Sequence, residues 1–261
     1  MNEVRRAAAA GTFYPGSGRE LEAEVDRLLE LAERPPWGAD VPSVVVVPHA
    51  GYAYSGPVAA SAYAGLRDTE PDAIAILGPA HFVPLRGFAV PAAAGWETPL
   101  GVAEIEPSLR DVAVHGCALV DDLPHEPEHS IEVQLPFLQR LFGPQVRVLP
   151  VAVGLSEPGE VADLIAAFLE RVALVVVSTD LSHYHDLETA RRLDRLTADA
   201  VLARRPDAIG PDDACGVFGL RGAVELARRE DRTVQLLDLR TSGDTAGDPS
   251  RVVGYAAFAI G

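Results

Sequence analysis

The sequence has no lysine, only two cysteines, and no apolar run as long as the roughly 20 residues that a membrane-spanning helix needs. Its 22 basic residues are all arginine and are outnumbered by 38 acidic residues, so the formal net charge is -16. Nucleic-acid binding requires clustered cations, and this charge argues against it. Two cysteines are too few for a disulfide framework, and the alanines at 7–10 are too short for a signal-peptide core. We therefore expect a cytoplasmic protein that binds neither membranes nor nucleic acid.

Short apolar strands alternate with helices along the chain. Helices are predicted at residues 18–33, 56–66, 129–142, 158–171, 187–203 and 214–229. Strands are predicted at residues 43–47, 73–77, 88–90, 102–105, 146–153, 174–178, 233–239 and 252–260, and residues 34–40 are predicted to form a loop. This alternation predicts one three-layer α/β domain over residues 1–261. The hairpin-like middle section indicates a mixed central β-sheet flanked by helices rather than a purely parallel sheet.

Ligand-type side chains follow three of these strands directly. His49 and His81 each come after a buried β-branched run, and Asp180 and His183 come after a third. Sites in α/β sheets form at the carboxyl ends of strands, so we expect the four side chains to lie together. Neutral imidazole binds zinc, copper and iron. The alternatives are two structural histidines that bond to the backbone, and a helix-capping role for Asp180.

Two further segments carry candidate residues. If residues 129–142 form a helix, His129 and Glu132 share one face and could line the site or add a ligand. An ordinary polar first turn of a helix is the alternative. Cys215 lies at the start of the last predicted helix, where a thiol can be reactive, or it is a small buried residue at a tight helix entry.

The Gly/Asp-rich loop at 241–248 reads first as a turn. It is also the one carboxylate-bearing loop placed to complete a set of two histidines and a carboxylate, which leaves open positions on iron(II). The sequence contains neither a GxSxG elbow nor a P-loop, which disfavours serine hydrolases and nucleotide-phosphate binding.

Several motifs, taken in order along nearly the whole chain, resemble the Memo family. The resemblance is to the bacterial and archaeal branch called AmmeMemoRadiSam system protein B. The matching stretches are residues 10–15 (AGTFYP), 48–52 (PHAGY), 54–56 (YSG), 78–81 (GPAH), 128–132 (EHSIE), 134–137 (QLPF), 178–183 (STDLSH), 242–244 (SGD) and 254–256 (GYA). The family is similar in fold to the class III extradiol dioxygenases.

The resemblance implies a metal site. By motif, His49 and His81 become metal ligands, and Asp180 and His183 line the same pocket with His183 as the base. The third ligand is matched to Asp244, or to Thr245 if the alignment shifts by one residue. Animal members have a cysteine at the third position. A carboxylate there favours iron(II), with zinc or copper as other candidates, whereas a cysteine would favour copper(I). Tyr54 and Ser55 fall in matched motifs and are further pocket-lining candidates.

Three functions remain open from the sequence. The first is a metal-dependent oxygenase or oxidoreductase that acts on a small molecule. The second is a non-catalytic module that binds a peptide or protein partner, and the third is a hydrolase in which Asp180 and His183 activate a zinc-bound water. The branch name also implies a functional association with AMMECR1-type and radical-SAM proteins.

Overall fold

Four parallel strands with almost entirely buried, aliphatic side chains form the centre of the fold. The computed structural model describes residues 3–35, 37, 41–172 and 174–261. The central order is β8–β3–β9–β2, and every neighbouring pair among these strands is parallel. In β2, all four consecutive valines at 44–47 are buried. Strands that helices cover on both faces show this uninterrupted apolar pattern.

Across the described residues, the remaining strands extend this core into a mixed sheet of twelve strands. The strands are β1 (Val4–Arg5), β2 (Val44–Val47), β3 (Ile74–Pro79), β4 (Phe88–Val90), β5 (Gly95–Thr98), β6 (Gly101–Ile105), β7 (Leu119–Val120), β8 (Arg147–Val153), β9 (Leu174–Ser178), β10 (His183–His185), β11 (Val234–Thr241) and β12 (Val252–Ile260). On one side, β12 runs antiparallel to β2 and pairs with β10 and β11. On the other, β6 and the antiparallel β4 join β8.

Eight α-helices lie among the described residues. They are α1 (Gly18–Leu31), α2 (Tyr52–Tyr63), α3 (Pro107–His115), α4 (Leu135–Phe142), α5 (Pro158–Leu169), α6 (Leu187–Leu202), α7 (Val217–Arg229) and α8 (Ser242–Thr245). Helices α1, α2 and α4 contact one another, whereas α3 and α7 pack on α5. At the α5–α7 crossing, a Cβ atom on Gly222 would lie 2.2 Å from Val161 Cγ1, so this close approach requires glycine. The expected α/β fold with a mixed sheet flanked by helices is confirmed.

Several predicted boundaries differ from the structure. The predicted helix at 129–142 is a short 3-10 turn at Glu132–Gln134 followed by α4, so His129 lies in a loop. The Glu128 carboxylate causes this difference, because it accepts hydrogen bonds from the backbone amides of His129 and Ser130. Helix α3 and strand β5 were not predicted. Part of the predicted loop at 34–40, namely 36 and 38–40, lies outside the described residues.

No helix within the described ranges combines the length and the apolar character that crossing a membrane would require.

Glu132 anchors the N-terminal segment through its buried carboxylate. Its buried carboxylate accepts hydrogen bonds from Tyr14 Oη at 2.6 Å and from the backbone amides of Ala8 and Ala9 at 2.8 Å each. It also forms an ion pair with Arg5 at 2.6 Å, and both side chains are almost fully buried. The turn at 132–134 directs the Glu132 side chain to the N-terminal segment, so we interpret Glu132 as a structural support of that segment. Its role as a pocket-lining residue stays a prediction.

Replacing Glu132 with glutamine should destabilise the fold substantially. Removal of one member of a buried ion pair leaves the other charge uncompensated, which costs about 3–5 kcal/mol. We expect a loss of that size in the free energy of unfolding from urea denaturation. Asp68→Asn is the matched control, because it breaks an exposed pair with Arg34 and should change stability little. A Glu132→Gln variant as stable as this control would contradict the assigned role.

Candidate metal centre

Two histidines and a cysteine converge at the carboxyl edge of the central parallel strands. His49 follows β2, His81 follows β3, and Cys215 directly precedes Gly216, which caps α7. One potential ligand atom from each of the three lies within 4.8 Å of the other two. The two imidazole centroids are 5.2 Å apart. These distances suit a single metal ion that all three side chains contact.

Ser178 determines which nitrogen of His49 carries the proton. The Ser178 hydroxyl donates its only proton to the carbonyl oxygen of Ser130 at 2.7 Å and accepts a hydrogen bond from Gln134 Nε2 at 2.9 Å. Its contact of 2.9 Å with His49 Nδ1 therefore requires a proton on Nδ1. The lone pair of His49 is left on Nε2, which faces Cys215 Sγ at 3.1 Å.

Glu128 holds the proton of His81 on Nδ1, as Ser178 does for His49, but the acceptor is a charged carboxylate. Its carboxylate accepts hydrogen bonds from His81 Nδ1 at 2.9 Å and from the His81 backbone amide at 2.6 Å. Burial raises the pKa of Glu128, but hydrogen bonds and the charge of His81, together with the Ser130 amide, bring it down to about 2. A carboxylate that holds Nδ1 leaves Nε2 of the imidazole free for a metal. Glu128 is the first residue of the Glu-His-Ser-Ile-Glu motif at 128–132. The spacing of the predicted helix favoured Glu132 instead, so the sequence did not predict a role for Glu128.

The surroundings of His49 suit the metal-binding form of its imidazole. Burial, and after it the charges of His81 and His129, hold the pKa of His49 well below its ordinary value. His49 is therefore neutral at physiological pH, and neutral imidazole is the form that binds metals.

Cys215 occupies the position that the sequence assigned to Asp244. Burial first, and then the charge of Asp180, raise the pKa of the Cys215 thiol to about 12. Its Sγ accepts a hydrogen bond from the Asp180 amide at 3.3 Å. A bound cation reverses such a shift, because a coordinating thiol is deprotonated. The buried environment supports the interpretation that Cys215 is held in place rather than freely reactive.

The structure does not bring Asp244 to the two histidines. Its Oδ2 accepts hydrogen bonds from the Thr241 amide and hydroxyl at 2.8 Å each, which forms a capping box at the start of α8. Its other oxygen forms an ion pair with Arg191. Thr245, the alternative, donates its hydroxyl hydrogen bond to Ser242 O at 3.2 Å. The Gly/Asp-rich loop forms a capped turn whose carboxylate is directed at α6.

Asp180 and His183 flank the donor group in different ways. The buried Asp180 carboxylate accepts a hydrogen bond from the His49 amide at 2.7 Å, and burial raises its pKa to about 7. Asp180 therefore fixes the loop that carries His49. His183 is half-buried, and its Nδ1 donates to the Leu181 carbonyl at 2.7 Å, which leaves a lone pair on Nε2. Burial is the main cause that lowers the pKa of His183, and the charge of His81 lowers it to a smaller extent.

The remaining candidate residues form the surroundings of the centre. His129 stacks on His81 at 5.0 Å between centroids and on Phe13 at 4.2 Å. Ser55 is buried and donates to the Ala50 carbonyl at 2.8 Å, so it supports the His49 loop. Tyr54 is 42% exposed. Tyr54 offers contact surface to a ligand, whereas Ser55 does not.

A second combination of ligand-type atoms shares His81 with the first. His81, Glu128 and His129 also offer three ligand atoms within 4.8 Å of one another. Glu128 Oε1 already accepts hydrogen bonds from His81 Nδ1 and from the amides of His129 and Ser130, and Oε2 accepts one from the His81 amide. We therefore interpret this combination as the support of His81 rather than a second metal site.

The fold and the donor group define an α/β protein with a candidate metal centre at the edge of its parallel strands. A family model described as Memo-like protein matches residues 5–259. A MEMO1 family protein of Methanosarcina acetivorans is 37% identical over an alignment of 280 residues that covers 99% of each chain. One from Aquifex aeolicus is 37% identical over 265 residues, with 97% of each chain covered. The chain belongs to the Memo-like protein family.

A solved structure shows a similar fold. The uncharacterized protein JW3007 from Escherichia coli K12 superposes with a TM-score of 0.54 and covers 84% of this chain and 99% of its own. At 14% sequence identity, this likeness concerns the fold alone.

Replacing Ser178 with alanine should weaken metal binding without removing a ligand. The variant loses the acceptor that holds the proton on His49 Nδ1, so the His49 lone pair is no longer confined to Nε2. Supporting partners of this kind typically contribute 10–100-fold in metal affinity, and we expect a loss in that range from a competition titration. Ser61→Ala, at a hydroxyl that bonds to Asp238, is the control. Unchanged affinity in Ser178→Ala would refute this role.

Proposed function

We propose that the protein binds a redox-active transition-metal ion through His49 Nε2, His81 Nε2 and Cys215 Sγ. The observation that carries this proposal is the convergence of three donor atoms within 4.8 Å. In addition, both histidines have Nδ1 occupied by a hydrogen bond to a side chain, which leaves Nε2 free on each.

The donor set also indicates the class of metal. A set with two histidines and a carboxylate would favour iron(II), as we expected from the sequence. A thiolate in place of the carboxylate shifts the preference towards softer ions, with copper(I) first and zinc or iron(II) after it. A set of one thiolate and two imidazoles contains no hard oxygen ligand, so calcium and magnesium do not suit it.

The surrounding residues support an oxidoreductase that acts on a small organic molecule. A redox-active metal bound here would supply one-electron chemistry. The Nδ1 hydrogen bond of His183 to the Leu181 carbonyl leaves its Nε2 lone pair free, and we propose that this nitrogen accepts a proton from a hydroxyl group of a substrate. Phe82 is 59% exposed, and its ring lies 6.3 Å from His81 between centroids. This ring offers an apolar surface against which an organic substrate can pack.

A binding module is the second candidate, and the exposed aromatic side chains favour it. Phe82 and Tyr54 are both more than 40% exposed. Exposed aromatic rings beside a polar site are also typical of recognition surfaces. The hydrolase hypothesis has less support, because Asp180 is buried and its carboxylate accepts a hydrogen bond from the His49 amide, which gives it a structural role in the His49 loop.

Metal binding should depend on one of the two cysteines only. We expect one equivalent of copper(I) per chain in a competition titration with a chromogenic chelator. Cys215→Ser should lower the affinity at least 100-fold, because a hydroxyl is a poor ligand for a soft ion. Cys117→Ser is the matched control, because Cys117 is exposed and outside the donor group. Equal affinity in the Cys215→Ser and Cys117→Ser variants would overturn the proposed site.

Replacing His183 should remove oxidoreductase activity but leave metal binding intact. With catechol as a probe, the metal-loaded protein should consume dioxygen, and His183→Phe should abolish consumption while it retains the metal. The aromatic replacement keeps the ring volume but removes the proton acceptor. Oxygen uptake that is as fast in His183→Phe, or as fast without metal, would exclude this role for the residue. His115→Phe, at an exposed helix end, is the control.

A further inference from the structure

Four arginines line one cavity on the side of the sheet edge formed by β11. The cavity has a volume of about 490 Å³ and lies between α6, β11 and the start of α8. Its lining includes Arg191, Arg192, Arg195 and Arg240, together with Asp194 and Asp244. His49, His81 and Cys215 are not among its lining residues. The cavity is therefore separate from the candidate metal centre.

The local charge of this cavity is opposite to the charge of the whole chain. The protein carries a formal net charge of -16, yet arginines outnumber carboxylates in the lining by two. All four arginines are exposed, so an anion can reach them from solvent, and an accumulation of cations on such an acidic protein attracts anions locally.

Internal ion pairs leave two of the four arginines without a partner. Arg191 pairs with Asp244, and Arg240 pairs with Asp238 on its own strand at 2.6 Å. Within the part of the chain that the structure describes, no carboxylate oxygen lies within 4.0 Å of a guanidinium nitrogen of Arg192 or Arg195.

Asp194 does not neutralise the unpaired arginines. Its Oδ1 accepts a hydrogen bond from the Ser182 amide at 3.0 Å. Its Oδ2 packs against Gly254, since a Cβ atom on that glycine would lie 2.0 Å away. The carboxylate is therefore directed into the fold.

Helix geometry places the arginines so that they can act on one ligand. On α6, Arg195 is four residues after Arg191 and three after Arg192, so the three side chains lie on neighbouring positions of the helix surface. Arg240 extends from β11, which contacts α6. Like charges at these helical spacings destabilise a helix, and a bound anion would remove that repulsion.

We propose that this cavity binds a small molecule that carries a phosphate group. The planar guanidinium fork matches phosphate oxygens in a bidentate geometry, and several arginines around one cavity are the usual means of phosphate recognition. A volume of about 490 Å³ lies in the ordinary range of small-molecule sites. A nucleic-acid chain is not a suitable occupant, because the acidic surface beyond the cavity would repel its backbone.

A calorimetric titration with pyrophosphate tests this proposal. Chelator-treated, metal-free full-length protein should bind one equivalent with saturable heat at low salt. The double variant Arg192→Gln/Arg195→Gln should raise the Kd at least tenfold. The matched control, Arg228→Gln/Arg229→Gln, removes the same charge from two exposed arginines of α7 and should leave the Kd within twofold.

Other results of these titrations would contradict a specific part of the proposal. Absence of saturable binding, or equal weakening in the two double variants, would overturn the site. Citrate binding as tight as that of pyrophosphate would overturn the assignment to phosphate. His49→Ala/His81→Ala should bind pyrophosphate as the unaltered protein does, because the cavity does not include the candidate metal centre; weakening in that variant would contradict the separation of the two sites.

Discussion

The buried hydrogen bonds that hold the two histidines at Nδ1 are the constraint on which the rest of the site depends. Glu128 holds His81 with a charged acceptor, and Ser178 holds His49 with a neutral one. Because both protons are fixed on Nδ1, both lone pairs are available on Nε2, and in the proposed metal site the chemistry of the third donor would set which metal is preferred. A carboxylate buried as completely as Glu128 is costly unless several donors satisfy it. Here the donors are the His81 ring and three backbone amides, so the same contacts shape the loop after His129 and orient the ligand.

The sequence predicted the parts of the site that depend on strand ends. Strands β3, β9 and β2 are parallel neighbours, so side chains just beyond them meet at one edge. A local pattern of apolar residues followed by turn residues is enough to recognise such positions. For this reason the structure places His49 and His81 together, and Asp180 next to His49, even though they are far apart in sequence.

The third donor could not be derived from local pattern. Cys215 lies at the entry to a helix, and only the packing of α7 on the central strands brings it to the histidines. Asp244 has the more suggestive neighbours, but its capping box and Arg191 direct it elsewhere. Likewise, the assumption of a helix from residue 129 singled out Glu132, whereas the competing hydrogen bonds of Glu128 break that helix. In both cases local capping hydrogen bonds combine with one contact that is distant in the chain, Arg191 with Asp244 and His81 with Glu128, and the local pattern does not show that distant contact.

X-ray absorption at the metal edge distinguishes a site with one thiolate and two imidazoles from a site without sulfur. We expect the metal-loaded protein to show a first coordination shell with one sulfur scatterer and two imidazole nitrogens. The sulfur contribution should disappear in Cys215→Ser and persist in Cys117→Ser. A shell made only of oxygen and nitrogen scatterers in the unaltered protein would exclude Cys215 as a ligand and return the third position to a carboxylate.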